Sequence, residues 1–190
     1  GIFILHFVLM AAFLVMPTIL ESQLDIPRGQ HWVVYLPLLV LAFVAMLPFI
    51  IVAEKRQRMK PVFVAAVVLL GAMMGVTALG QHQRAGFLVG LSFSFMAFNL
   101  LEATLPSLMS KLAPAGAKGT ASGVYSTCQF LGAFGGGVVG GWVLQEHGSV
   151  AVFEVCGALI LLWAALALTM RTPRHLSRVE VPLSQAQLAT

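Results

Sequence analysis

The sequence predicts an all-α membrane protein, a bundle of six transmembrane helices, and three observations carry that expectation. Of the 190 residues, 59% are hydrophobic and only 9% are charged, against about 25% charged in a soluble domain. The mean hydropathy of +0.93 comes from runs near twenty residues, the length a helix needs to cross about 30 Å of hydrocarbon. Those runs are continuously apolar, whereas the strands of a membrane barrel alternate in shorter segments, so helices are preferred.

Polar residues between the runs mark six spans, at 1–20, 32–53, 61–80, 87–109, 119–144 and 150–170, with a tail at 171–190. The first span holds His6 as its only ionisable group; it either lines a cavity and titrates or sits near the headgroups. The second carries Pro37 and Pro48, which with Pro17 and Pro106 favour bent helices. The third has Thr77 as its single polar side chain, and the sixth keeps Glu154 and Thr169 near its two ends. Both of these spans suit contact with lipid.

The fourth and fifth spans differ. The fourth holds Ser92, Ser94, Asn99, Glu102, Thr104 and Ser107, and the fifth Ser122, Tyr125, Ser126, Thr127 and Gln129. Unpaired polar groups are costly in hydrocarbon, so these helices are expected to face protein or water. Glu102 is the one carboxylate well inside a span. Ser92, Phe95, Asn99, Glu102 and Pro106 follow helical spacing and share one face. Pro106 has no N–H for the Glu102 carbonyl, which frees that oxygen for another partner. Desolvation disfavours an ionised Glu at that depth, which suits a proton-exchanging or substrate-binding group. The bland alternative is a carboxyl pinned to a neighbouring helix. Gly132, Gly136 and Gly140 repeat a small-xxx-small step that lets another backbone approach closely, for static packing or for sliding.

Lysine and arginine divide unequally between the two sides. Lys55, Arg56, Arg58, Lys60, Lys111, Lys118, Arg171, Arg174 and Arg178 fall on one side, and only Arg28 and Arg84 on the other. This bias places both ends of the segment, including the tail, in the cytoplasm. The basic clusters then face anionic headgroups; nucleic acid is a poorer partner for them. Cys128 and Cys156 both lie in spans, where thiols act as small packing groups. No metal-ligand spacing appears, and no cofactor is expected. The chain opens on Gly1 without an initiator Met, so it reads as cut from something longer.

Several stretches resemble the major facilitator superfamily. The loop from Glu54 through Lys55, Arg56 and Arg58 to Lys60 is similar to a degenerate copy of that family's G-x-x-x-D-R-x-G-R-R loop, without its glycines. In such a loop an acid among arginines holds one conformational state closed through charge-assisted bonds, and Glu54, Arg56 and Arg58 would play that part. Gly119-Thr120-Ala121-Ser122-Gly123-Val124-Tyr125-Ser126-Thr127, with Gln129-Phe130-Leu131-Gly132, resembles the entry into helix eleven of YajR-type bacterial inner-membrane transporters. Phe98-Asn99-Leu100-Leu101-Glu102-Ala103-Thr104-Leu105-Pro106 resembles their helix ten. The resemblance covers all six spans, as helices seven to twelve of twelve, one half of the major facilitator fold.

It implies a proton-coupled efflux antiporter of small molecules working by alternating access against an N-terminal six-helix half. The lipid bilayer, protons and an unidentified substrate are the further partners. His6, Asn99, Glu102, Tyr125 and Gln129 would line the pathway, with the third and sixth helices outermost. Two other functions compete. A self-contained six-helix packing protein would use the glycine face for assembly. An intramembrane serine protease would use Ala121-Ser122-Gly123, but His147, the histidine nearest the sixth span, lies on the opposite side of the membrane, out of reach of the serine.

Overall fold

A computed structural model describes residues 1–56 and 58–169. Arg171, Arg174, Arg178 and the expected tail lie outside the described residues. The fold is all-α: α1 (Ile2–Ser22), α2 (His31–Lys55), α3 (Met59–Leu79), α4 (Arg84–Leu112) and α5 (Lys118–Thr169). Each is long and apolar enough to cross a membrane.

With 52 residues, α5 would be about 78 Å long if straight, far more than one bilayer. It bends back at Gly148, whose φ of 80° and ψ of −179° interrupt the helix. The arms are 118–147 and 149–169, so six rods result. The sequence expectation of a loop at 145–149 is too wide, since only Gly148 leaves helical geometry. Likewise α4 starts at Arg84 and runs to Leu112, beyond the apolar run. Hydropathy marks where lipid ends, and a helix continues past that level on its own hydrogen bonds.

The φ/ψ of Gly148 is a region open essentially to glycine alone. Nothing stands within 4 Å of where its Cβ would be, so backbone strain is the only obstacle to a side chain. Gly148→Ala is expected to destabilise the bundle by about 1–3 kcal/mol, read as a lower thermal-unfolding midpoint. An unchanged midpoint would mean that the turn does not need this conformation.

The first arm of α5 lies along α1, in the same direction. Gly132, Gly136 and Gly140 meet the backbone of Phe3, Phe7 and Ala11 in register. The second arm packs on α3, where Ile160 covers Gly71 and Trp163 meets Phe63 edge-on at 5.8 Å between centroids. Gly90 of α4 rests on the backbone of Thr77 in α3, and α2 leans on α4. Leu5, Val15, Leu20, Leu91, Leu101 and Phe153 are sealed inside.

The two ends are tied separately. At one, Ser149 Oγ donates to Gln81 Oε1 at 2.8 Å, His82 Nδ1 meets Gln23 Oε1 at 2.9 Å and Arg28 pairs with Glu21 at 2.7 Å. At the other, Lys60 Nζ donates to the Leu168 carbonyl at 3.3 Å, capping the last turn of α5 with a cation where the helix dipole favours one.

Coverage within this segment differs between the helices. The most exposed helix is α2, with only 17% of its apolar window buried, against 33% for α3. The reason is topological: α3 is wedged between α4 and the second arm of α5, while α2 has α4 as its main neighbour.

Candidate functional site

Three hydroxyls of the polar helices, and one on α3, are consumed locally. Ser92 Oγ donates to Leu88 O at 2.6 Å, Thr104 Oγ1 to Leu100 O at 2.6 Å, Thr127 Oγ1 to Gly123 O at 2.9 Å and Thr77 Oγ1 to Met73 O at 2.7 Å. Each bonds the carbonyl one turn back, which lets a hydroxyl sit in an apolar helix without a tertiary partner. Ser94 Oγ is buried without a partner. Among the larger polar side chains Asn99, Glu102, Tyr125, Gln129 and His6 remain.

Three of these come together. Gln129 Nε2 lies 2.8 Å from His6 Nε2, and Glu102 Oε2 lies 3.9 Å from the same nitrogen. His6 Nδ1 faces the Ile2 carbonyl at 3.3 Å. A carbonyl only accepts, so the neutral ring carries its proton on Nδ1, and the Nε2 lone pair accepts from the Gln129 amide; this tautomer follows from the network. The Phe98 ring stands edge-on to the imidazole, 5.9 Å between centroids. Glu102 Oε2 is buried without a hydrogen-bond partner, as is Tyr125 Oη.

The His6 side chain is 11% exposed and that of Glu102 35%. The cluster is therefore sealed towards α1 and open on the outer side of α4. Glu102 stands ten residues before the end of α4 and Gln129 eleven after the start of α5, placing the cluster about 15 Å along the helices. That is about half the thickness of a hydrocarbon core. Gly1 packs beside Leu105 and Trp163, so His6 belongs to this inner level too.

A cavity of about 490 Å³ opens beside the cluster, between Met109 of α4 and Thr120, Val124 and Tyr125 at the start of α5. Tyr125 lines both. Asn99, half-buried, is one turn from Glu102 on α4. The remaining residues singled out in the sequence stand elsewhere. Glu54, Arg56 and Arg58 are exposed at the junction of α2 and α3, and among the described residues none of them forms an ion pair. Gly132, Gly136 and Gly140 are buried against α1.

Sequence spacing on α4 identified Glu102, but the direct His6–Gln129 bond joins residues 123 positions apart and has no local signature. Among the described residues no group of three metal-ligating side chains converges.

An acid, an imidazole and an amide gathered at mid-depth beside an open cleft define a polytopic helical membrane protein with a polar site inside its bundle. The Major Facilitator Superfamily model matches residues 1–188, and the chain belongs to that family. It is 44% identical over 188 residues to the inner membrane transport protein YajR of Escherichia coli (strain K12), covering 98% of this chain and 41% of that protein. An uncharacterized transporter of Buchnera aphidicola subsp. Baizongia pistaciae is 29% identical over 166 residues, covering 86% and 42%. The chain thus spans about two-fifths of the length of these relatives.

Membership of this family speaks against the protease alternative, and the geometry agrees. Ser122 and His147 lie at opposite ends of the first arm of α5, about 37 Å apart along the helix, so His147 does not reach the hydroxyl. The assembly alternative loses its interface, because α1 already occupies the glycine face.

Proposed function

We propose that this segment is the C-terminal half of a proton-coupled efflux antiporter of small molecules, seated in a bacterial inner membrane with its ends cytoplasmic. The observation that supports this best is the buried, donor-free Glu102 Oε2, 3.9 Å from His6 Nε2. With His6 neutral, Nε2 is held by Gln129 and offers Glu102 no proton to bind. Protonating Nε2 turns it into a donor, which no longer accepts from the Gln129 amide and attracts the carboxylate instead. The site therefore has two arrangements, one for each proton count, and the proton moves between groups on α1 and α4.

A small change of this kind, in a cavity that also takes substrate, couples the two cargoes if the carboxyl cannot hold both. Tyr125 supplies a hydroxyl to the cavity wall, and Gln129, on the same helix, and Asn99, one turn from Glu102, add amides to the pathway. Its other wall is assigned to an N-terminal six-helix half, against which this one rocks. The orientation follows the lysine and arginine bias. Glu54, Arg56 and Arg58 act as a conformational latch at the cytoplasmic end.

The wall is expected to be wet. In a full-length protein whose Cys128 and Cys156 have been replaced, Asn99→Cys should react with a membrane-impermeant maleimide. Phe93→Cys, on an exposed apolar face, should not. Protection of Asn99→Cys in every conformational state would mean a face sealed by protein, and the vestibule reading would be lost.

A further inference from the structure

A second cavity, of about 270 Å³, lies between α2 and α3 with α4 as its floor. The two walls touch only sparsely, and both lean on α4, so they leave a cleft between them. Phe49 and Val52 of α2 form one wall, Val62 and Leu69 of α3 the other, and Met96 and Leu100 of α4 the floor. At 100° per residue, Met96 and Leu100 point about 110° around α4 from Asn99 and Glu102. This groove is therefore separate from the candidate transport site and opens away from it.

Its lining is apolar except at one end, where Arg58 contributes to the wall. Among the described residues no carboxylate pairs with Arg58, and Lys55 and Arg56 stand close by in sequence. The neighbouring Lys60 is engaged with the Leu168 carbonyl. Helix α3 begins at this point without a side-chain cap and with no acid in its first turn. An anion is favoured there by the guanidinium and by the helix start together. An apolar slot along the membrane-spanning part of the helices, closed at the basic end by a free cation, matches a lipid acyl chain below an anionic headgroup. Away from Arg58, water finds no polar side chain in the slot.

We propose that the groove between α2 and α3 is a binding site for an anionic phospholipid, its phosphate on Arg58 and one acyl chain between Val52, Val62, Met96 and Leu100. Such a lipid fills the gap that side chains leave and ties the α2–α3 junction to the membrane surface. The proposal does not depend on the transport reading.

The test uses the full-length protein in nanodiscs. Photoactivatable phosphatidylglycerol or phosphatidylcholine, each with the reactive group in the acyl chain, is cross-linked and mapped to peptides. The expected result is labelling of peptides 49–52, 62–69 and 96–100 by the phosphatidylglycerol probe in preference to the phosphatidylcholine probe. One cation near an anionic surface is worth about a fivefold difference, so Arg58→Ala should reduce that labelling by about this factor and Arg58→Lys should largely keep it. Ala65→Trp, at the exposed edge of the groove, should reduce labelling by both probes at these peptides while leaving the rest of the lipid belt unchanged.

Equal labelling by both probes, insensitive to Arg58→Ala, would reduce the groove to ordinary annular lipid and overturn the site. Protection from both probes would mean that another protein segment fills it, with the same consequence. Displacement of the phosphatidylglycerol probe by inorganic phosphate would leave a free-anion site without a lipid.

Discussion

Glu102→Gln is expected to abolish proton-coupled transport while leaving expression largely intact. Glutamine keeps the volume and can still meet His6 and Gln129 as an amide, but it has no proton to release. Removing a positioned proton-transfer group costs on the order of 10²-fold or more in rate. Reconstituted into proteoliposomes with a pH-sensitive dye inside, the full-length variant should show proton flux reduced by at least that factor. Its folding should change little, because Oε2 of the native residue makes no hydrogen bond that the amide would lose. Transport that is undiminished, with an unchanged pH dependence, would remove Glu102 from the mechanism.

Gly136→Leu should have the largest effect on stability. The Cβ of even an alanine at this position would run into the backbone carbonyl of Phe7 on α1. Inserting atoms into a packed interior costs about 1–3 kcal/mol when side chains can shift. Here the obstacle is main chain, so the penalty is expected at the upper end of that range or beyond. The adjacent position is the control: nothing stands within 4 Å of a Cβ on Gly137, and leucine is the better helix former. Thermal unfolding in detergent should therefore show Gly136→Leu strongly destabilised and Gly137→Leu near the native midpoint. Equal midpoints would mean that α1 and α5 do not meet along this line.

The all-α architecture was legible because lipid imposes a simple code: every span needs an apolar run, and six runs were visible. The polar census separated α4 and the start of α5 from the rest, and single-helix geometry was enough to place Asn99 and Glu102 on one face. What lay beyond one helix was not legible. His6 is ambiguous in sequence because a lone histidine near one end of a run suits either a headgroup or a cavity. Only the parallel packing of α1 against α5 brings Gln129 to its Nε2.

Which helices cover one another within this segment is hidden in the sequence for a related reason. Lipid and a protein neighbour both reward apolar side chains, so the composition of α2 and α3 does not reveal which of them is wedged between others. The sequence suggests a five-residue loop around Gly148 because polar residues such as Gln145, Glu146 and His147 resemble loop composition. At a membrane surface they are equally at home on the last turn of a helix.

The seam between α1 and α5 also restricts how the molecule moves. Phe3, Phe7 and Ala11 mesh with Gly132, Gly136 and Gly140 main chain to main chain, like matched splines with no flexible tooth between them. Any slip along such a joint must clear a whole four-residue pitch, about 6 Å, so graded sliding is barred. The pair is therefore expected to move as one body, with His6 and Gln129 staying together. Motion relative to Glu102 is left to the looser joint between α4 and the start of α5.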